Sequence, residues 1–185
     1  MKRYFLVFVS LNTLLLLAAF LLGVVFLYDR SHGTPPPRGD QPAAAWTFTA
    51  HMVVSLVAII FNLFVHCIVF TYLLGTGKWV KEVANAYGLP GDGWPAQTKQ
   101  FKIRVNRLLL LAMATSILAG LTGAGAQTQP QSWWALAHPI LAVLVWFVNG
   151  WAFWVEYQVI CENDVVLRQV KEAADAMRLA AGAVD

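Results

Sequence analysis

The chain has 185 residues, of which 58% are hydrophobic and only 12% charged, with a mean hydropathy of +0.59 and a net charge of +3. Most of its length must lie in lipid, which leaves too little for a separate soluble domain and no soluble basic surface on which nucleic acid could bind. Two cysteines are too few for a disulfide framework.

Crossing a hydrocarbon core about 30 Å thick takes about 20 apolar residues, and such stretches start near Phe5, Thr47, Leu108 and Trp134. The expected fold is therefore all-α. It is an integral membrane up-down four-helix bundle over residues 1–161, with spans at about 5–28, 42–74, 103–126 and 133–160. A cytoplasmic amphipathic tail, 162–185, follows.

The first span comes after Lys2 and Arg3, as a signal peptide would, but it is long and Asp29-Arg30-Ser31 offers no small-x-small cleavage site, so it reads as a retained helix. The loop after it carries three prolines, Pro35 to Pro37, which favour an extended spacer. The Arg38-Gly39-Asp40 triplet within that loop reads as ordinary loop chemistry. Pro42 then opens the second span, which is expected to end at Leu74, before Gly75. In the next loop Trp79, Val83 and Tyr87 recur every four residues, away from Lys78, Lys81 and Glu82. That spacing predicts a short helix lying in the headgroup layer, broken by the Gly88 to Gly93 segment.

The third span begins as helix in the basic stretch Lys99 to Arg107 and ends in Gly123-Ala124-Gly125-Ala126. Trp133 and Trp134 anchor the start of the fourth at an interface. Past Tyr157 the helix can continue, with Val166, Val170, Ala173, Met177 and Ala180 forming a seam for a cytoplasmic protein partner or for a loop of the same chain.

An N-terminus placed inside puts 11 of the 13 Lys and Arg on the cytoplasmic side and leaves only Arg30 and Arg38 outside. Both termini are then cytoplasmic, and the expected location is the inner (cytoplasmic) membrane of a bacterium. Cys67 and Cys161 both fall near the inner side, where thiols stay reduced.

Polar residues in a span are costly against lipid and turn toward other helices. His51, Ser55, Asn62 and His66 make one stripe on the second span, and His138, Asn149 and Glu156 make another on the fourth. Asn62, His66, Asn149 and Glu156 are expected to form a buried polar cluster with Arg104 or Arg107 near the carboxylate, serving as structural glue or as a proton or quinone site. The first span offers Asn12, Ala19 and Gly23 on one face, and the third offers Ala112, Ser116, Gly120 and Ala124 as a small-xxx-small seam.

His51 and His138 lie at matched depth, about five residues inside the outer boundary, on spans that run parallel and can face each other diagonally. Ligand histidines on the second and fourth helices, with Gly23 and Gly120 on the first and third, resemble the four-helix core of transmembrane b-type cytochromes. The resemblance covers the four spans and no contiguous motif. It implies one haem b, with His51 and His138 as axial ligands and electron transfer to or from a quinone or partner protein. A two-haem version would need a histidine near Ala152 or Phe153, so at most one haem is expected.

The alternative is a cofactor-free accessory or anchoring subunit of a membrane complex, in which His51 bonds to water or headgroups and His138 sits beside Pro139 at a disturbed helix start. Transport finds little room in four helices. No nucleophile lies near an inward histidine and no carboxylates pair within the spans, so an enzyme acting on its own is not expected.

Overall fold

The computed structural model describes residues 1–32, 42–89 and 93–182. Four helices account for nearly all of them: α1 (Lys2–Ser31), α2 (Pro42–Ala86), α3 (Gly93–Thr128) and α4 (Trp134–Gly182). Each is long and apolar enough to cross a membrane, and there is no strand among the described residues. The proline run and the Arg38-Gly39-Asp40 triplet fall outside the described residues, as do residues 90–92 and 183–185.

Consecutive helices run antiparallel. Asn12 of α1 meets Asn62 of α2, Asn62 meets Ser116 of α3, and the carbonyl of Ala119 in α3 meets His138 of α4. Near the chain termini Lys2 pairs with Asp164 and Arg104 with Glu162. α2 and α4 touch across the bundle while α1 and α3 remain apart, so one diagonal is short. Leu6, Leu14, Leu21, Leu56, Ile60, Leu110, Leu121, Ile140 and Phe147 stand exposed on the outside of the four helices. Such a belt would be a liability in water but is ordinary against lipid.

At 1.5 Å per residue, the 45 residues of α2 make a rod about 67 Å long, twice what the hydrocarbon core requires. The excess of α2, the first turns of α3 and the end of α4 form a three-helix extension around Val80, Ala84, Leu89, Val166 and Val170. This corrects two expectations. The second span does not stop at Leu74, because α2 runs through Gly75 and Gly77 to Ala86, and no separate interfacial helix exists over 78–87. Two helical glycines cost about 1 kcal/mol each, which burial of Val80 and Ala84 against α4 offsets. At Gly77 the absent side chain lets Lys102 of α3 approach.

α2 ends where Gly88 adopts φ +59°, the left-handed conformation that glycine takes without a Cβ penalty. There the Leu89 N–H reaches back to the Ala84 carbonyl at 3.0 Å, and Leu89 seals the extension's core. α3 starts at Gly93, earlier than the basic stretch suggested. The tail seam is used within the chain: Val166 and Val170 are buried and Ala173 packs on the same core, whereas Met177 and Ala180 stay exposed.

Candidate functional site

Two sets of polar side chains lie inside the four helices, separated by the apolar layer Leu16, Ala19, Ala58, Ala119 and Val145. On the side of that layer away from the termini, His51 of α2 and His138 of α4 face each other across the short diagonal. Their ring centroids are 6.2 Å apart and their planes cross at 71°. Each ring is fixed the same way. Nδ1–H of His51 donates to the Ala19 carbonyl of α1, and Nδ1–H of His138 donates to the Ala119 carbonyl of α3, both at 3.0 Å. A carbonyl can only accept, so Nδ1 carries the hydrogen and Nε2 keeps its lone pair. Among the described residues nothing bonds to either Nε2.

Glycines make room for the two rings. A Cβ on Gly23 of α1 would come within 3.0 Å of His51 Cε1, and one on Gly123 of α3 within 2.9 Å of His138 Cε1. Gly23 thus lies beside His51, Gly120 faces Ile59, whose Cδ1 stands 3.0 Å from where its Cβ would be, and Gly123 lies beside His138. The antiparallel register of α3 and α4 decides this, because the turn between them, residues 129–133, is short and sets Gly125 against Trp134. Pro139 lies inside an unbroken α4, so the helix start is not disturbed as that residue suggested. As the sixth residue of α4 it lies past the first turn, so the Ala135 carbonyl loses its i→i−4 donor while the helix stays continuous. Phe26 lies parallel to the His51 ring, with centroids 6.5 Å apart.

The donor set fits a haem. Two imidazoles bound to one metal through nitrogens, with bonds of about 2 Å, have ring centres about 6 Å apart, close to the observed separation. Among the described residues no third His, Cys, Asp or Glu joins them, and a porphyrin needs none, since its own four nitrogens complete the ligand set. Fixing Nδ1 on a carbonyl is also how ligand histidines are commonly oriented.

On the termini side of the apolar layer, a buried hydrogen-bonded chain draws on all four helices. Asn12 Nδ2 donates to Asn62 Oδ1 at 2.8 Å, and Asn62 Nδ2 donates to Ser116 Oγ at 2.9 Å. Asn149 Nδ2 donates to Ser116 Oγ at 3.4 Å and to the Val145 carbonyl at 2.8 Å. His66 then bridges Asn149 Oδ1, 2.9 Å from Nε2, and Glu156 Oε1, 2.7 Å from Nδ1, with the Phe153 ring stacked on it. Asn62, His66, Asn149 and Glu156 do come together, and each is buried. Asn12 and Ser116, read from the sequence as members of packing faces, belong to the same chain. The expected arginine does not. Arg104 pairs with Glu162 at 2.7 Å and Arg107 is exposed, so among the described residues Glu156 has His66, cationic when protonated, as its one ion-pair partner.

Comparison of the chain with known protein families, with curated proteins and with solved structures finds no match.

Proposed function

We propose that this protein is a small membrane cytochrome that holds one b-type haem between α2 and α4 through His51 and His138, for electron transfer with a quinone or a partner protein. The observation that carries this reading is the matched fixing of both rings: each Nδ1–H is tied to a backbone carbonyl, each Nε2 lone pair is unspent, and the ring centres are 6.2 Å apart. Bound there, haem would supply a reversible one-electron ferric/ferrous couple. The chain's own part is to aim and insulate. Ala19 and Ala119 orient the ligands, Gly23 and Gly123 leave them room, and the layer of Leu16, Ala58 and Val145 keeps the polar chain apart from them.

The distribution of basic residues supports an inner-membrane placement with both termini in the cytoplasm. The three-helix extension is then the cytoplasmic part, and its exposed Met177 and Leu179 suit a protein partner.

Protein purified from membranes with haem supplied is expected to show the reduced-minus-oxidised spectrum of a low-spin bis-histidine haem. His51→Ala and His138→Ala should each abolish it. A colourless wild-type preparation overturns the cytochrome reading and leaves the cofactor-free accessory subunit.

A further inference from the structure

Glu156 is the one Asp, Glu, Lys or Arg in the apolar stretches 5–28, 46–77, 108–128 and 134–161. Its hydrogen bonds limit where protons can sit. Asn149 presents an oxygen to His66, its amide nitrogen being committed to Val145 and Ser116, so His66 Nε2 must carry a hydrogen. One more proton lies between His66 Nδ1 and Glu156 Oε1, whose 2.7 Å separation is that of a charge-assisted bond, with the Phe153 ring stacked on the imidazole. As an imidazolium–carboxylate pair the unit is neutral overall. The second carboxylate oxygen, Oε2, is buried and has no partner. An unpaired buried acceptor of this kind is satisfied by water or by a further proton.

Both directions away from Glu156 meet apolar packing. Toward the histidine pair the polar chain consists of the amides of Asn149, Asn62 and Asn12 and the Ser116 hydroxyl, ends on the unpartnered Asn12 Oδ1, and then meets the Leu16, Ala58 and Val145 layer. Toward the termini, Asn163 lies seven residues along the same face of α4, about 10 Å away at 1.5 Å per residue. It is buried, its Nδ2 donates to Tyr72 Oη and Thr76 Oγ1, both at 3.1 Å, and its Oδ1 is a second unpartnered acceptor. Val159 and Ile160 fill the intervening turn and pack with Val65, Val69, Leu73 and Leu109 in one buried apolar core. Thr76 leads directly to Gly77 and Lys102, where charged residues begin.

We propose that Glu156, paired with His66, is a proton-binding site buried inside the bundle. Loading breaks an O–H bond of hydronium or of a water chain and forms one on Glu156 Oε2. The pair passes from neutral to a single positive charge, and release reverses the step. The other ionisable groups nearest the pair are Lys2 of α1, bonded to Asp164, Tyr72 of α2, bonded to Asn163, and Arg104 of α3, bonded to Glu162. α4 itself adds Tyr157, stacked on Phe5, and Cys161 and Glu162 beyond Ile160, and α2 adds the exposed Cys67. The acquired proton is therefore held by the His66 and Glu156 contacts. The site stands independently of the haem.

Infrared spectra of the full chain in lipid vesicles, recorded as the pH is lowered, test it. A protonated-carboxyl C=O band is expected in wild type, shifting in D2O and missing from Glu156→Gln. Asn163→Leu should keep the band, because His66 and Glu156 alone hold the proton. Absence of a Glu156-dependent band over the pH range in which the helices persist overturns the proposal, as does loss of the band from a folded Asn163→Leu protein. If Glu156→Gln fails to fold, Glu156→Asp decides, since a band belonging to this carboxyl must move in frequency. None of these readouts needs haem, so a colourless preparation would remove the cytochrome reading without touching this one.

Discussion

Gly123→Ala separates fit at the histidine pair from stability of the fold. The new Cβ would stand 2.9 Å from His138 Cε1 and 3.1 Å from its Nδ1, where ordinary contacts begin at 3.4 Å, so the ring must move by about half an ångström. The 3.0 Å bond from Nδ1–H to the Ala119 carbonyl opposes that movement. Turning the ring off its preferred rotamer costs about 1 kcal/mol. Replacing a helical glycine by alanine returns about 1 kcal/mol through helix propensity. Fold stability should therefore change little while the ligand geometry suffers, weakening haem retention about fivefold for each kcal/mol. Haem-to-protein ratio and the low-spin spectrum, measured beside thermal unfolding in detergent, give the two numbers. Gly75→Ala, where nothing lies within 4 Å, is the control and should retain haem fully. A Gly123→Ala protein that binds haem as wild type does would refute the cradle.

Two further substitutions address the scaffold. His66→Leu strands the Glu156 carboxylate and Asn149 Oδ1 in the core and should destabilise by about 3–5 kcal/mol, whereas adding Glu156→Met to it should restore much of the loss; thermal unfolding of the single and double variants checks both. Val170→Asp puts a carboxylate, with no partner to meet it, into the core of the three-helix extension, where Val170 is 0% exposed. Limited proteolysis should then cut residues 78–89 and the α4 tail while the four apolar spans resist, and a tail that stays protected would contradict the packing described.

The existence of four helices and the polar stripes on α2 and α4 were legible in the sequence because lipid penalises a misplaced polar group on every turn. His51 and His138 were legible as a pair for the same reason: equal depth in parallel helices is a matter of counting residues. Gly123 was not. It lies three residues from Gly120, both look alike as small positions on α3, and the choice between them depends on how α3 slides against α4. Nor was the extension legible. Gly75 and Gly77 read as a stop from local propensity, and only the packing of Val80 and Ala84 on Val166 and Val170 carries α2 through them.

Hydropathy and periodicity thus determined that the chain folds as apolar helices with inward histidines, asparagines and a carboxylate, since those signals depend only on a residue's own helix and its solvent. The tertiary structure decided which side chains meet: Nδ1 on the Ala19 and Ala119 carbonyls, His66 on Glu156, and Arg104 on Glu162 instead of on Glu156. Register and helix pairing are set by the summed packing of residues far apart in the chain, and no local pattern of amino acids contains that sum.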